Sequence, residues 1–215
     1  MYKTSSYNNK NILRKLLLSK VVKICDTLDL VKRLYNFQLM AVAFIQGASR
    51  GIGLEFARCL SARGNVQVVA GCRDPDTAVN LRGLERVEAV QCDVTQEESL
   101  ARIAEDIKGN YGKLDFAINV SGILHPSGRG ETRLADVTPE ALVETFQVNT
   151  FGPLLMARHM IPLLQRGSGL IGTQSAKSKN QHAGVLAHIS ARLANGKYLT
   201  KICKLCYYFK SWLNF

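Results

Sequence analysis

Between residues 41 and 63 an apolar run, AVAFIQ, leads without a spacer into GASRGIG and then into an amphipathic stretch. No other feature limits the fold of this chain so strongly. A short apolar run closed by glycine reads as a buried strand, and Leu54, Ala57 and Leu60 recur at helical spacing in the amphipathic stretch. Glycines at 47, 51 and 53 let a chain turn tightly off a strand, and let backbone N–H groups approach a pyrophosphate at the positive end of a helix. Glycines also serve close strand-to-helix packing. Between a strand and an amphipathic helix, however, they point to a dinucleotide loop.

The same alternation continues. Strands are expected over residues 41 to 46, 66 to 70, 86 to 91, 114 to 119 and 183 to 189. Helical stretches lie between them: 51 to 63, a short one from 77 to 84, 95 to 112, and a long one from 138 to 165. Thr95 followed by Glu98 reads as a capping box, and Thr138 before Pro139 as an N-cap with proline at the first helical position. Apolar runs alternating with helical periods predict βαβ units and a parallel sheet, hence an α/β fold. After Ile189 the alternation stops, and the basic tail shows no turn chemistry that would start another unit. The organisation expected is a basic extension over 1–39, a nucleotide-binding domain over 40–191 and an atypical tail over 192–215.

A length of 215 residues suits one domain with a full core. The formal charge of +11 would suggest a polyanionic partner, so its distribution matters. Residues 1–39 hold 8 Lys/Arg against 2 Asp, and residues 192–215 hold 5 Lys/Arg and no acid. The 15 basic and 15 acidic side chains between them cancel. A neutral body with two basic ends argues against a nucleic-acid-binding domain, and the sequence has no apolar run long enough to cross a bilayer. Six scattered cysteines and the lack of a cleavable signal suggest a reducing, cytoplasmic setting. Cys203 and Cys206 form a lone CxxC that nothing completes, so no metal is expected. The acid-poor N-terminal stretch reads as a mitochondrial targeting segment, as a helix on a membrane surface, or as an extension foreign to the domain. Met40, directly before the first strand, favours the last.

Four motifs in order carry a family resemblance. GASRGIG (47 to 53) resembles the cofactor loop of the short-chain dehydrogenases/reductases. Asp93-Val94 comes after the third expected strand, Asn119-Val120-Ser121-Gly122 after the fourth, and Val148-Asn149-Thr150 lies in the long helix. Each matches a motif of that family, and NVSGILH with HISAR is most similar to its C-factor-like branch. The resemblance implies a Rossmann-type, doubly wound parallel sheet of order 3-2-1-4-5, with the last strands of the family fold missing here. It implies hydride transfer between NAD(P)H and a small carbonyl or alcohol, with a homo-oligomer as in the family. Cofactor contacts then fall to Gly47, Ser49, Arg50, Gly51, Ile52, Gly53, Arg73, Asp93, Val94, Asn119, Ser121 and Gly122.

Cofactor preference depends on charge. A carboxylate at the end of the second strand would accept the ribose hydroxyls of NAD and repel a 2′-phosphate, whereas a cation favours NADP. Arg73 takes that place and Arg50 precedes the second loop glycine, so NADP is expected, with NAD as the alternative. Asp74 would reverse the argument if the strand ran one residue further.

At the catalytic residues the resemblance breaks. The family sets a Lys four residues after its catalytic Tyr, one helical turn apart. None of the seven tyrosines here has a Lys at that spacing; Tyr198 has Lys201 at three. Asn149 and Ser190 match the helix Asn and the strand-end Ser, although Ala191 occupies the usual place of the latter and Ser175 is a rival. His125 and His188 read as a loop and a strand residue. A chain that only binds cofactor, or pairs with an intact homologue, is therefore the rival expectation to an active reductase.

Overall fold

The computed structural model describes residues 40–128, 137–169, 171 and 184–189. Ser175, Ser190, Tyr198, Lys201, the extension over 1–39 and the tail over 192–215 lie outside them. Five strands form one parallel sheet: β1 (Ala41–Gln46), β2 (Val66–Cys72), β3 (Val87–Gln91), β4 (Phe116–Asn119) and β5 (Val185–His188). Their spatial order is β3-β2-β1-β4-β5, as expected. The helices are α1 (Gly51–Ser61), α2 (Val79–Arg82), α3 (Glu97–Tyr111), α4 (Pro139–Phe146) and α5 (Gly152–Leu164), with one wide π turn (Gln147–Phe151) between the last two. Among the described residues no helix is long and apolar enough to cross a membrane.

All six residues of β1 are buried, which marks it as the centre of a sheet covered on both faces. Its side chains divide by parity. Ala41, Ala43 and Ile45 join Leu54, Ala57 and Leu60 of α1 in one core. Val42 and Phe44 join Leu100, Ile103 and Ile107 of α3, with Met156, Met160 and Leu163 of α5, in the other. Alternation along a strand thus builds two apolar layers from one run of residues.

A buried carboxylate ties the far edge of the sheet together. Asp115, fully buried just before β4, accepts from Val42 N at 2.9 Å through Oδ2. Its Oδ1 accepts from Ser168 N and Ser168 Oγ, both at 2.5 Å. Lys113 Nζ lies 3.7 Å from Oδ2. The residue's own backbone links β1 and β5, donating to Val42 O and accepting from Val185 N.

Several expectations need correction. β2 runs on to Cys72 rather than ending at Ala70, because Gly71 and Cys72 still pair with Val90 and Gln91 of β3. β4 starts at Phe116, since Asp115 is committed to Val42, Ser168 and Val185. The short helix is one turn. The capping box does not form: α3 has Gln96 at its N-cap with no side-chain cap, and Thr95 bonds instead to Asp93. The nearer carboxylate, two residues back, captures the hydroxyl. Thr138 does cap α4, accepting from Ala141 N at 3.2 Å. The long helix is interrupted by the π turn, and just after it Gly152, the first residue of α5, passes so close to the loop after β3 that a Cβ there would lie 2.3 Å from Val94 Cγ2. The extra residue in that turn shifts the helix register locally.

Candidate functional site

The C-terminal ends of β1 to β4, the start of α1 and one face of α4 enclose a cleft of about 930 Å³. A cleft beyond the carboxyl ends of parallel strands, where the chain leaves β1 for one face and β4 for the other, is the ligand position of open α/β sheets. Its volume falls in the range of cofactor sites.

The glycine loop forms the inner wall, and its three glycines do different things. Gly47 has φ +84, and a Cβ there would lie 2.7 Å from Ser121 Oγ. Gly51 also has positive φ, +57, but a Cβ on it would meet nothing within 4 Å. Gly53 is a packing residue: its Cβ would lie 2.1 Å from Gly47 O, so only hydrogen fits between α1 and the loop. The N–H groups of Gly47 and Ala48 both donate to Gly71 O, at 2.9 and 3.0 Å, which fastens the loop to β2. Arg50 is the N-cap of α1 and supplies no side-chain cap, and the first turn of α1 holds no acid. Its N–H groups are therefore left for an anion.

Charge gathers on the β2 side. Arg50 and Arg73 both line the cleft, and neither has an ion-pair partner among the described residues. Asp74 does not line it. Its Oδ1 accepts from Asp76 N at 3.0 Å and Thr77 N at 3.3 Å, which turns the carboxylate into the following loop. At the end of β3, Asp93 Oδ1 accepts from Thr95 N and Oγ1, at 2.9 and 2.8 Å. Asp93 Oδ2 has no partner among the described residues. Val94 lines the cleft beside it, backed by Gly152.

Asn119 closes the floor from below. It is fully buried, and its Oδ1 accepts from Ser121 N at 3.2 Å, bending the chain so that Ser121 and Gly122 enter the wall. Asn149, in the π turn, spends both amide atoms on Ile123: Oδ1 accepts from its N–H at 2.9 Å and Nδ2 donates to its carbonyl at 2.7 Å. It is 5 % exposed and stands behind the wall, while its neighbour Val148 lines it.

Of the twelve residues expected to contact a cofactor, the structure thus brings ten to one cleft and sets Gly53 and Asn119 directly behind it. His188 is a residue of β5 and His125 lies in a turn, as read from the sequence. Sequence reasoning missed Gln46, Cys72, Cys92 and, on the α4 side, Pro139, Glu140, Val143 and Glu144 with Gln147 of the π turn. The i, i+4 spacing of that face is visible in the sequence, but its direction is not. Cys72 and Cys92 belong to opposite cores. Burial pushes both thiols up, Cys92 to about 12, so they stay neutral and serve as apolar wall.

Comparison with known proteins agrees with this geometry. A family model described as enoyl-(acyl carrier protein) reductase matches residues 47–194. The chain belongs to the short-chain dehydrogenase/reductase family. It is 33 % identical over 145 residues to the short chain dehydrogenase tazN of Aspergillus terreus, covering 63 % of this chain and 30 % of that one. It is 32 % identical over 136 residues to elsinochrome reductase 1 of Elsinoe fawcettii, covering 60 % and 49 %. The NADPH-bound carbonyl reductase from chicken fatty liver superposes with a TM-score of 0.59 at 25 % identity, over 71 % of this chain and 57 % of that one. The matched segment spans between 30 % and 58 % of these and similar curated relatives.

Proposed function

We propose that the chain binds NADP in preference to NAD, as the dinucleotide half of a reductase that transfers hydride between NAD(P)H and a small carbonyl or alcohol. One observation carries the reading. The acid-free, uncapped start of α1 opens on a cleft whose lining includes Arg50 and Arg73. Backbone N–H groups and the helix dipole there suit a pyrophosphate. The two guanidinium groups suit a 2′-phosphate, and the carboxylate next to Arg73, that of Asp74, is turned into the following loop. The carboxylates that do line the cleft, Asp93, Glu140 and Glu144, come from the end of β3 and from α4. Gly51, where a Cβ would meet nothing within 4 Å, leaves the loop open to a pyrophosphate, while Gly47 and Gly53 let the loop pack closely against Ser121 and α1.

In this reading Asp93 Oδ2 accepts from the adenine amine and Val94 packs against the ring. Asn119 and Asn149 hold the NVSG segment and Ile123 in place rather than touching ligand. Bound NADPH would supply the hydride. The pattern of relatives supports this: one neighbour is described as an NADPH-bound carbonyl reductase and one relative as a reductase. The substrate proposed is a small molecule, with neither nucleic acid nor membrane as partner.

A second reading has its own observation. Within these 215 residues no Tyr has a Lys four residues after it, so this stretch carries no pair of the kind that lowers the tyrosine pKa and clamps the nicotinamide ribose. On that ground the chain binds cofactor without turning it over, alone or paired with an intact homologue. Titrating the full chain with NADPH and NADH, then assaying it on a panel of reactive carbonyls, tests both readings. NADPH binding more tightly than NADH supports the first statement, and turnover decides between reductase and binder. Failure to bind either dinucleotide would refute the proposal.

A further inference from the structure

Gln46 is the polar end of an otherwise apolar strand. It is 2 % exposed, yet it contributes to the cleft wall. Its Nε2 donates to Ser121 Oγ at 3.3 Å, while Oε1 is buried and meets no donor among the described residues. A buried carbonyl oxygen left in this state is costly and demands an explanation. Neighbouring atoms record where the oxygen lies: a Cβ on Gly71 would be 2.8 Å from Oε1 and 3.1 Å from Cys92 Cβ. The oxygen, unlike Nε2, therefore lies beside the ends of β2 and β3, the strands that lead to Arg73 and Asp93. Glycine at 71 leaves it the room.

We propose that Gln46 positions the nucleotide, its carboxamide oxygen accepting a hydrogen bond from the 3′-hydroxyl of the adenosine ribose. This rests on the dinucleotide reading of the cleft. An acceptor cannot bond phosphate oxygens, so the partner is a donor of the nucleoside that lies on the β2 and β3 side. Such donors are the exocyclic amine, which suits Asp93 Oδ2, and the ribose hydroxyls. The 3′-hydroxyl is the one that NAD and NADP share. The last torsion of a glutamine side chain is broad, so the amide plane can turn Oε1 to the cleft face without moving the backbone. Ser121 Oγ, able to donate or accept, is the amide's side-chain partner in the present orientation, 3.3 Å from Nε2.

The test is a titration of the full chain with adenosine 2′,5′-bisphosphate and with its 3′-deoxy counterpart, for wild type and for the nearly isosteric Gln46→Met. Wild type should prefer the 3′-hydroxyl ligand by about fivefold to tenfold, the worth of one hydrogen bond. Gln46→Met should bind both alike. A merely structural Gln46 would weaken both ligands equally and leave the preference intact, which overturns the inference. Should Gln46→Met fail to fold, the side-chain amide resonances of Gln46 in wild type decide: they shift with the 3′-hydroxyl ligand and not with the deoxy one, or the inference falls. Wild type binding both ligands equally refutes this role alone. Wild type binding neither refutes the dinucleotide reading and this role with it.

Discussion

Replacing Asp115 with Ala removes one carboxylate and orphans several partners at once. Val42 N–H and Ser168 N–H lose their acceptor, Ser168 Oγ loses its own, and Lys113 loses its neighbouring charge. Val42 is 2 % exposed and Asp115 fully buried, so water does not readily replace what is lost. Removing one member of such a buried group costs about 3–5 kcal/mol. Against a typical total of about 5–15 kcal/mol this is a large fraction of the stability. With a urea slope of about 2 kcal/mol per M, the midpoint of unfolding should fall by roughly 1.5–2.5 M. Asp115→Asn separates shape from chemistry: its single amide oxygen can face Val42 N–H or Ser168 N–H, not both, and its NH₂ opposes a donor on the other side. An intermediate loss of about 1–3 kcal/mol is expected. Urea unfolding of wild type and both variants, monitored by circular dichroism, checks the order. If both variants unfolded within about 0.5 M of wild type, the view of Asp115 as the tie between β1, the start of β4 and the loop after α5 would be wrong.

Close packing, charge and burial elsewhere in the fold lead to further outcomes. Gly53→Ala should lower NADPH affinity by more than about tenfold, because its Cβ cannot lie 2.1 Å from Gly47 O without displacing the loop; fluorescence titration reads this. Arg73→Asp should weaken NADPH by about tenfold and leave NADH nearly unchanged, the effect being limited by solvent at an exposed side chain; equal losses for both would place the 2′-phosphate elsewhere. Burial pushes Cys92 from 9.0 and Tyr111 from 10.0 up to about 12, with the Glu88 charge assisting at Tyr111. Between those values the unfolded chain binds fewer protons than the folded one, so these groups' contribution is complete below pH 9 and lost as pH rises toward 12. Stability measured from about pH 8 to 11 should decline accordingly. Iodoacetamide at about pH 8 should label exposed Cys59 in the native protein and reach Cys72 and Cys92 only after unfolding.

The fold was legible in the sequence because its determinants are local and periodic. The apolar run 41–46, the glycines that end it, and Leu54, Ala57 and Leu60 at helical spacing define a strand, a turn and a helix face without reference to distant residues. The parallel direction of the strands comes from their alternation with helices, and the arginines after β1 and β2 could be assigned by counting. What depended on tertiary contacts could not be read. Thr95 looked like a helix cap, and only the position of Asp93 decided that its hydroxyl turns back. Asn149 was legible as a motif, but its task, fixing both backbone groups of Ile123, needs a partner 26 residues away and a wide turn that brings it there. The unmet oxygen of Gln46 is invisible in a sequence, where a glutamine closing a strand is ordinary, because being unpaired is a property of everything that surrounds it. Periodicity belongs to a segment and survives in one dimension; hydrogen-bond satisfaction and close approach belong to pairs of segments and exist only once the chain has folded.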